Sequence, residues 1–189
     1  MNWLMIIGLV VLGIVVVIAA MGLIFCGDVF SYTATGSQVL GPAGASAGKA
    51  LVVYDPGVSG AAKSAAASIA GDLQSKGYTV TLAGVKSSEA DHVSGYNVII
   101  AGGPMYFGTV SNSVDTYLKA LTPQNSAAIG VFATTGSQQS NSNDIASFGK
   151  QVTADLGNST LNKPAVTQTI RSGDAADTDC ADLVSAVLQ

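Results

Sequence analysis

The sequence predicts an α/β chain: a doubly wound, five-stranded parallel sheet in the order 2-1-3-4-5, preceded by one transmembrane helix. Three observations carry this. Strand-like and helix-like stretches alternate from Lys49 to Gln189, the pattern of successive βαβ units. The strand-like stretches, such as Leu51-Val52-Val53 and Val98-Ile99-Ile100, are continuous apolar runs, so both faces of the sheet are expected to be covered by helices. Finally, Leu4 to Phe25 contains no charged residue.

The elements follow in order. A helix over Leu4–Phe25, about 22 residues, rises roughly 33 Å and matches a hydrocarbon core of about 30 Å. Trp3 stands at its start, where an amphipathic ring suits a membrane interface. The rival reading is a cleaved signal peptide, but the run is long for one and Met1-Asn2-Trp3 carries no basic residue. Residues 1–26 are therefore expected to be an anchor, with the lipid bilayer as partner of residues 4–25. Residues 27–48 are rich in Gly, Ser, Thr and Ala and read as a linker spanning roughly 25 Å. Residues 49–189 form the folded domain. Within it, Ala50–Tyr54 is the first strand. Ala61–Lys76 is an Ala-rich helix with Ile69 and Leu73 on one face, stopped by Gly77. Tyr78–Leu82 is the second strand, and Ser87–His92 forms at most one helical turn. Asn97–Ala101 is the third strand. Val110–Leu121 is a helix with Val114, Tyr117, Leu118 and Leu121 on one side. Ala127–Ala133 is the fourth strand and Ile145–Leu156 a helix. Ala165–Ile170 is the fifth strand and Asp179–Leu188 the closing helix.

Charge and composition exclude several functions. From Lys49 onward there are 8 basic and 11 acidic residues, a net charge of −3, so no basic stripe offers itself to nucleic acid. One histidine, His92, and two cysteines far apart, Cys26 and Cys180, give no metal spacing. Both thiols are expected to be unpaired. No nucleophile–base pair stands out, so no catalytic residue is assigned. Asp174, Asp177, Asp179 and Asp182 cluster near the last helix, where acidic side chains suit the positive end of the helix dipole. Asn158-Ser159-Thr160 is a glycosylation sequon, meaningful only on an exterior domain.

In a doubly wound sheet, ligands bind beyond the carboxyl ends of the strands where the strand order reverses. Three loops converge there: 55–60, 102–109 and 134–142. The first follows strand one as Asp55-Pro56-Gly57-Val58-Ser59-Gly60 and opens a helix at Ala61, as a phosphate cradle does. The second reads Gly102-Gly103-Pro104-Met105-Tyr106-Phe107-Gly108, and the third begins Thr134-Thr135-Gly136. With these motifs the chain from Lys49 to Gln189 resembles the flavodoxin family, most specifically at residues 102–108.

The resemblance implies a non-covalently bound flavin mononucleotide (FMN) and one- or two-electron redox chemistry. It places Asp55, Gly57, Val58, Ser59, Gly60 and Ala61 at the cofactor, the phosphate held by the amides of Val58 to Ala62 with Ser59 and Lys63, and Asp55 near a phosphate it would repel. Gly102 and Gly103 would permit a backbone conformation that other residues resist, in a cofactor loop completed by Pro104 and Gly108, where a peptide answers flavin reduction. Tyr106 and Phe107 would cover the ring, and Thr134, Thr135 and Gly136 would meet its pyrimidine edge. The chain departs from the family at Val58 and Ala61, where hydroxyl side chains are the pattern. The expected function is a membrane-anchored electron carrier serving a redox protein or small acceptor near the membrane, its domain on the cytoplasmic side. Two rivals stand beside it: an FMN-dependent reductase of quinones or similar acceptors, and a cofactor-free interaction module.

Overall fold

A computed structural model describes residues 3–31, 34–123, 127–157 and 161–189. The sequon at 158–160 and the side chain of Cys26 lie outside the described residues. The elements are α1 (Trp3–Ser31), β1 (Ser37–Leu40), β2 (Gly48–Tyr54), α2 (Ala61–Ser75), β3 (Tyr78–Gly84), α3 (Ser88–Asp91), β4 (Val98–Tyr106), β5 (Thr109–Val110), α4 (Asn112–Ala120), β6 (Ala128–Thr134), α5 (Ser142–Asp155), β7 (Val166–Ile170) and α6 (Ala175–Val187).

Alternate residues of each apolar strand serve opposite faces. Leu51 and Val53 of β2 and Ile99 of β4 pack with Val114, Leu118, Phe148 and Val152 of α4 and α5. Ala50, Val52 and Ile100 pack with Ile69 and Leu73 of α2 and with Leu183 and Val184 of α6. This period-two division builds two apolar layers on one sheet. The alanines of α2, of which Ala62, Ala65, Ala66 and Ala70 are buried, let that helix lie close to the strands.

The sheet corrects the expected fold class. It is mixed and seven-stranded, in the order β1-β3-β2-β4-β6-β7, with β5 paired to β4 alone. The pairs β3·β2, β2·β4, β4·β6 and β6·β7 are parallel. β1 is antiparallel to β3, Gln38 opposite Leu82 and Leu40 opposite Val80. β1 lies in the stretch read as linker. Its physical reason is the edge of β3, whose open N–H and C=O groups need partners. Gly36 O and Ala34 O extend the pairing by accepting from Gly84 N and Lys86 N, each at 2.8 Å. β5 exists because the chain folds back on β4 at once, Tyr106 facing Thr109 across a two-residue turn.

The transmembrane expectation is corrected too. Among the described residues no helix is long and apolar enough to cross a membrane. α1 does not stop at Phe25 but runs through Gly27 and Asp28 to Ser31. The single-pass membrane placement falls with it. Smaller differences concern boundaries: α6 begins at Ala175, four residues before the expected Asp179, because Gly173 (φ +77°) turns the chain directly into the helix.

Candidate functional site

The carboxyl ends of β2, β4 and β6 meet at a cleft of about 630 Å³, within the range of small-molecule and cofactor sites, about 300–1,000 Å³. Val58, Ser59 and Ala61 line it from the first loop, Pro104 and Tyr106 from the second, and Thr134, Thr135 and Gly136 from the third. Three further residues line it that the sequence reading did not single out: Met21 of α1, Met105 and Ser172. Ser172 had a signal, since it follows β7 at the carboxyl end of a parallel strand. Nothing local marked Met21.

The first loop is shaped by two glycines. Gly57 has φ +62°, and a side chain there would come within 2.9 Å of Pro104 Cγ. It is needed both for its backbone and to seat the first loop against the second. Gly60, at φ +72°, is the N-cap of α2, and no side chain caps the helix there. Gly60 N donates to Gly57 O and Ala61 N to Ser59 Oγ, each at 3.3 Å. Among the described residues the amides of Ala62 and Lys63 donate to no loop carbonyl. The helix start thus presents open N–H groups and the positive end of its dipole toward the cleft, the arrangement that suits a phosphate.

Asp55 does not face that position. It is fully buried, and its Oδ2 accepts from Ser111 Oγ at 2.7 Å and from Ser113 Oγ. Its Oδ1 accepts from Gly57 N at 3.1 Å. The carboxylate ties the first loop to the start of α4, and its charge lies beside that helix N-terminus.

The second loop departs from its expected geometry. Gly102 and Gly103 are inside β4, and neither has a positive φ. They are glycines for want of space: a Cβ at Gly102 would meet Phe132 O at 2.3 Å, and one at Gly103 would meet Val114 Cγ2 at 2.9 Å. The backbone freedom sits further on. Phe107 (φ +52°) and Gly108 (φ +81°) form the turn between β4 and β5, the paired left-handed conformation of a tight hairpin. Tyr106 is half-buried and lines the cleft. Phe107 is 92% exposed at the hairpin tip and is not a wall of the cleft. In the third loop Thr135 is committed to the fold, its N–H donating to Ile170 O at 2.9 Å and its hydroxyl to Ser137 O at 3.1 Å. Thr134 is buried, while Gly136 opens to the cleft.

Away from the cleft, α4 and α5 share a charged seam. Asp115 accepts from Lys119 Nζ at 2.7 Å and from Gln151 Nε2 at 3.0 Å. Burial works to raise its carboxyl, but those bonds outweigh it and hold the group below the usual carboxylate range. Asp155 stands 3.8 Å from Lys119 Nζ. Burial first, and then the charge of Asp115, push its carboxyl up to about 6. Cys180 is a free, buried thiol, pushed up to about 12 by burial above all, and so is inert as a nucleophile. Among the described residues no group of acidic, histidine or cysteine side chains could hold a metal.

No protein-family model and no curated protein matches the chain. Solved structures do. The flavodoxin of Streptococcus pneumoniae TIGR4 superposes with a TM-score of 0.54 at 13% identity, over 74% of this chain and 97% of that one. Flavodoxin 2 of Bacillus cereus gives 0.54 at 17%, over 74% and 97%. A flavodoxin from the domain Archaea gives 0.50 at 20%, over 75% and 99%. At these identities the likeness is one of architecture: the chain has a flavodoxin-like fold.

Proposed function

We propose that the chain binds FMN in the cleft above β2, β4 and β6 and acts as an electron-transfer protein. The observation that supports this best is the joining of an open helix N-terminus to a largely apolar cleft at the reversal of strand order. The fit is chemical at both ends. A phosphate would be held by backbone N–H groups of the α2 start, with Ser59 as the nearest hydroxyl, in place of a hydroxyl-rich loop. A flat, largely apolar ring system would lie among Val58, Pro104, Met105 and Tyr106. Bound FMN supplies the one- and two-electron chemistry. The chain positions it, excludes water with those apolar walls, and offers backbone groups of the third loop to its polar edge. The acidic surface favours a basic redox partner.

The test is a titration of the full chain with FMN and riboflavin, following flavin fluorescence. Both should be quenched. Ser59→Asp places a carboxylate at an exposed position beside the α2 N-terminus, where it favours the helix and repels a phosphate. It should weaken FMN more than tenfold, leave riboflavin unchanged, and leave the melting temperature unchanged or higher. No quenching by either flavin would overturn the reading in favour of a cofactor-free module.

A further inference from the structure

One wall of the cleft comes from none of its three loops. Met21 of α1 lines the cleft together with Val58, Pro104, Met105 and Tyr106. α1 lies against α4, the helix that follows the β4–β5 hairpin, and so brings a side chain of the N-terminal helix to the cleft. Met21 is 66% exposed and Val58 61% exposed. Both are apolar side chains that line the cleft and keep most of their surface in reach of water. A flat apolar group in the cleft would cover that surface. The exposed apolar side chains of α1 from Ile6 to Ile18 do not line the cleft, so position singles out Met21 and composition does not.

The chemistry of the side chain narrows what it can hold. A thioether has no N–H or O–H to donate, so it gives a phosphate no hydrogen bond. Its sulfur is polarizable and its chain unbranched, and both suit contact with an aromatic ring. The family resemblance puts Tyr106 and Phe107 over the ring. Of these, Tyr106 lines the cleft, while Phe107 stands exposed at the hairpin tip. Met21 adds from α1 the apolar cover that Phe107 does not give.

We propose that α1 completes the flavin site, with Met21 packed on the ring system of the bound cofactor. The inference rests on the flavin reading above, and it ties cofactor binding to the N-terminal helix. Two measurements on the full chain test it. The first titrates Met21→Ala and Met21→Leu with FMN and with riboflavin, following flavin fluorescence. A contact to the ring is blind to the phosphate, so Met21→Ala should weaken both flavins severalfold and alike. Met21→Leu keeps the apolar bulk and should bind both nearly as the parent chain does. Because Met21 is exposed, both variants should melt at the parent temperature. The second is hydroxyl-radical footprinting in the dark, read as oxidation of Met21 relative to Trp3. Trp3 is exposed on the same helix, about 18 residues and about 27 Å away along it. FMN should lower that ratio severalfold. Unchanged affinities in Met21→Ala, or an unchanged ratio, overturn the Met21 assignment and leave the flavin reading standing. A loss confined to FMN does the same, since it would put Met21 at the phosphate. If the parent chain binds neither flavin, both readings fall.

Discussion

At the residue scale, Asp55 and Phe107 show how position in the fold decides a role. Asp55 stands in the loop that the sequence assigns to a phosphate, yet its partners are Ser111 and Ser113, 56 and 58 residues away. No local pattern reveals such a bond, because it depends on how α4 returns to the sheet. Charge-assisted bonds to a buried carboxylate are worth about 1.5–3 kcal/mol each. Asp55→Ala should therefore destabilise the fold by about 3 kcal/mol or more in urea denaturation, and a double-mutant cycle with Ser111→Ala should show strong coupling. A cycle with no coupling would mean that the carboxylate serves the cleft instead. Phe107 poses the opposite case. It buries almost nothing and holds a left-handed backbone that costs a non-glycine residue roughly 1 kcal/mol. Phe107→Asn should raise the urea midpoint by the equivalent of about 0.5–1 kcal/mol, since Asn tolerates that conformation. A loss of stability would show that the exposed ring makes a contact the backbone cost conceals.

At the scale of elements, the parallel strands and the long helices were legible because their signals are local. Val98, Ile99 and Ile100 are buried, and the spacing of Phe148, Val152 and Leu156 marks the buried face of a helix, while Ile145, expected on that face, is exposed. β1 was not legible. Ser37–Leu40 has four residues and only Val39 and Leu40 as apolar ones, and it becomes a strand through the exposed edge of β3. The uncharged run at the N-terminus misled for a related reason: composition reports what a helix could enter, not where the element ends or what it touches. Met21 on the cleft wall is invisible to a hydropathy reading. The α4–α5 seam yields a pH prediction. The folded state holds Asp155 near 6 against an ordinary value of 3.8. A group raised on folding contributes stability that is complete below its unfolded value and is lost as pH rises through the folded one. Stability should therefore fall between about pH 4 and pH 7 from this group. Asp155→Asn should flatten that slope and be the more stable protein at pH 8. Asp115, held low, acts in the acid range below 3.8 and leaves this window clear. Parallel urea midpoints for the two proteins from pH 4.5 to pH 8 would expose the seam as irrelevant.

For the whole molecule, the flavodoxin-like architecture puts three loops at one end and leaves the rest as scaffold, and the charge pattern follows the same division of labour. The cleft walls are apolar, while the domain from Lys49 carries 8 basic against 11 acidic residues. On the electron-transfer reading proposed above, a net acidic domain would set the rate of encounter with a basic partner more than the strength of the final complex. The range of that field is set by salt: the screening length is about 30 Å at 0.01 M and about 8 Å at 0.15 M. Electron transfer from the flavin-loaded, reduced protein to a basic haem protein should therefore slow severalfold across that salt interval. Transfer to a neutral small acceptor should not change. If both rates prove insensitive to salt, the surface charge plays no part in partner encounter, and the partner must be recognised by shape at the cleft mouth. There the exposed Val58 and Phe107 are the side chains to truncate first.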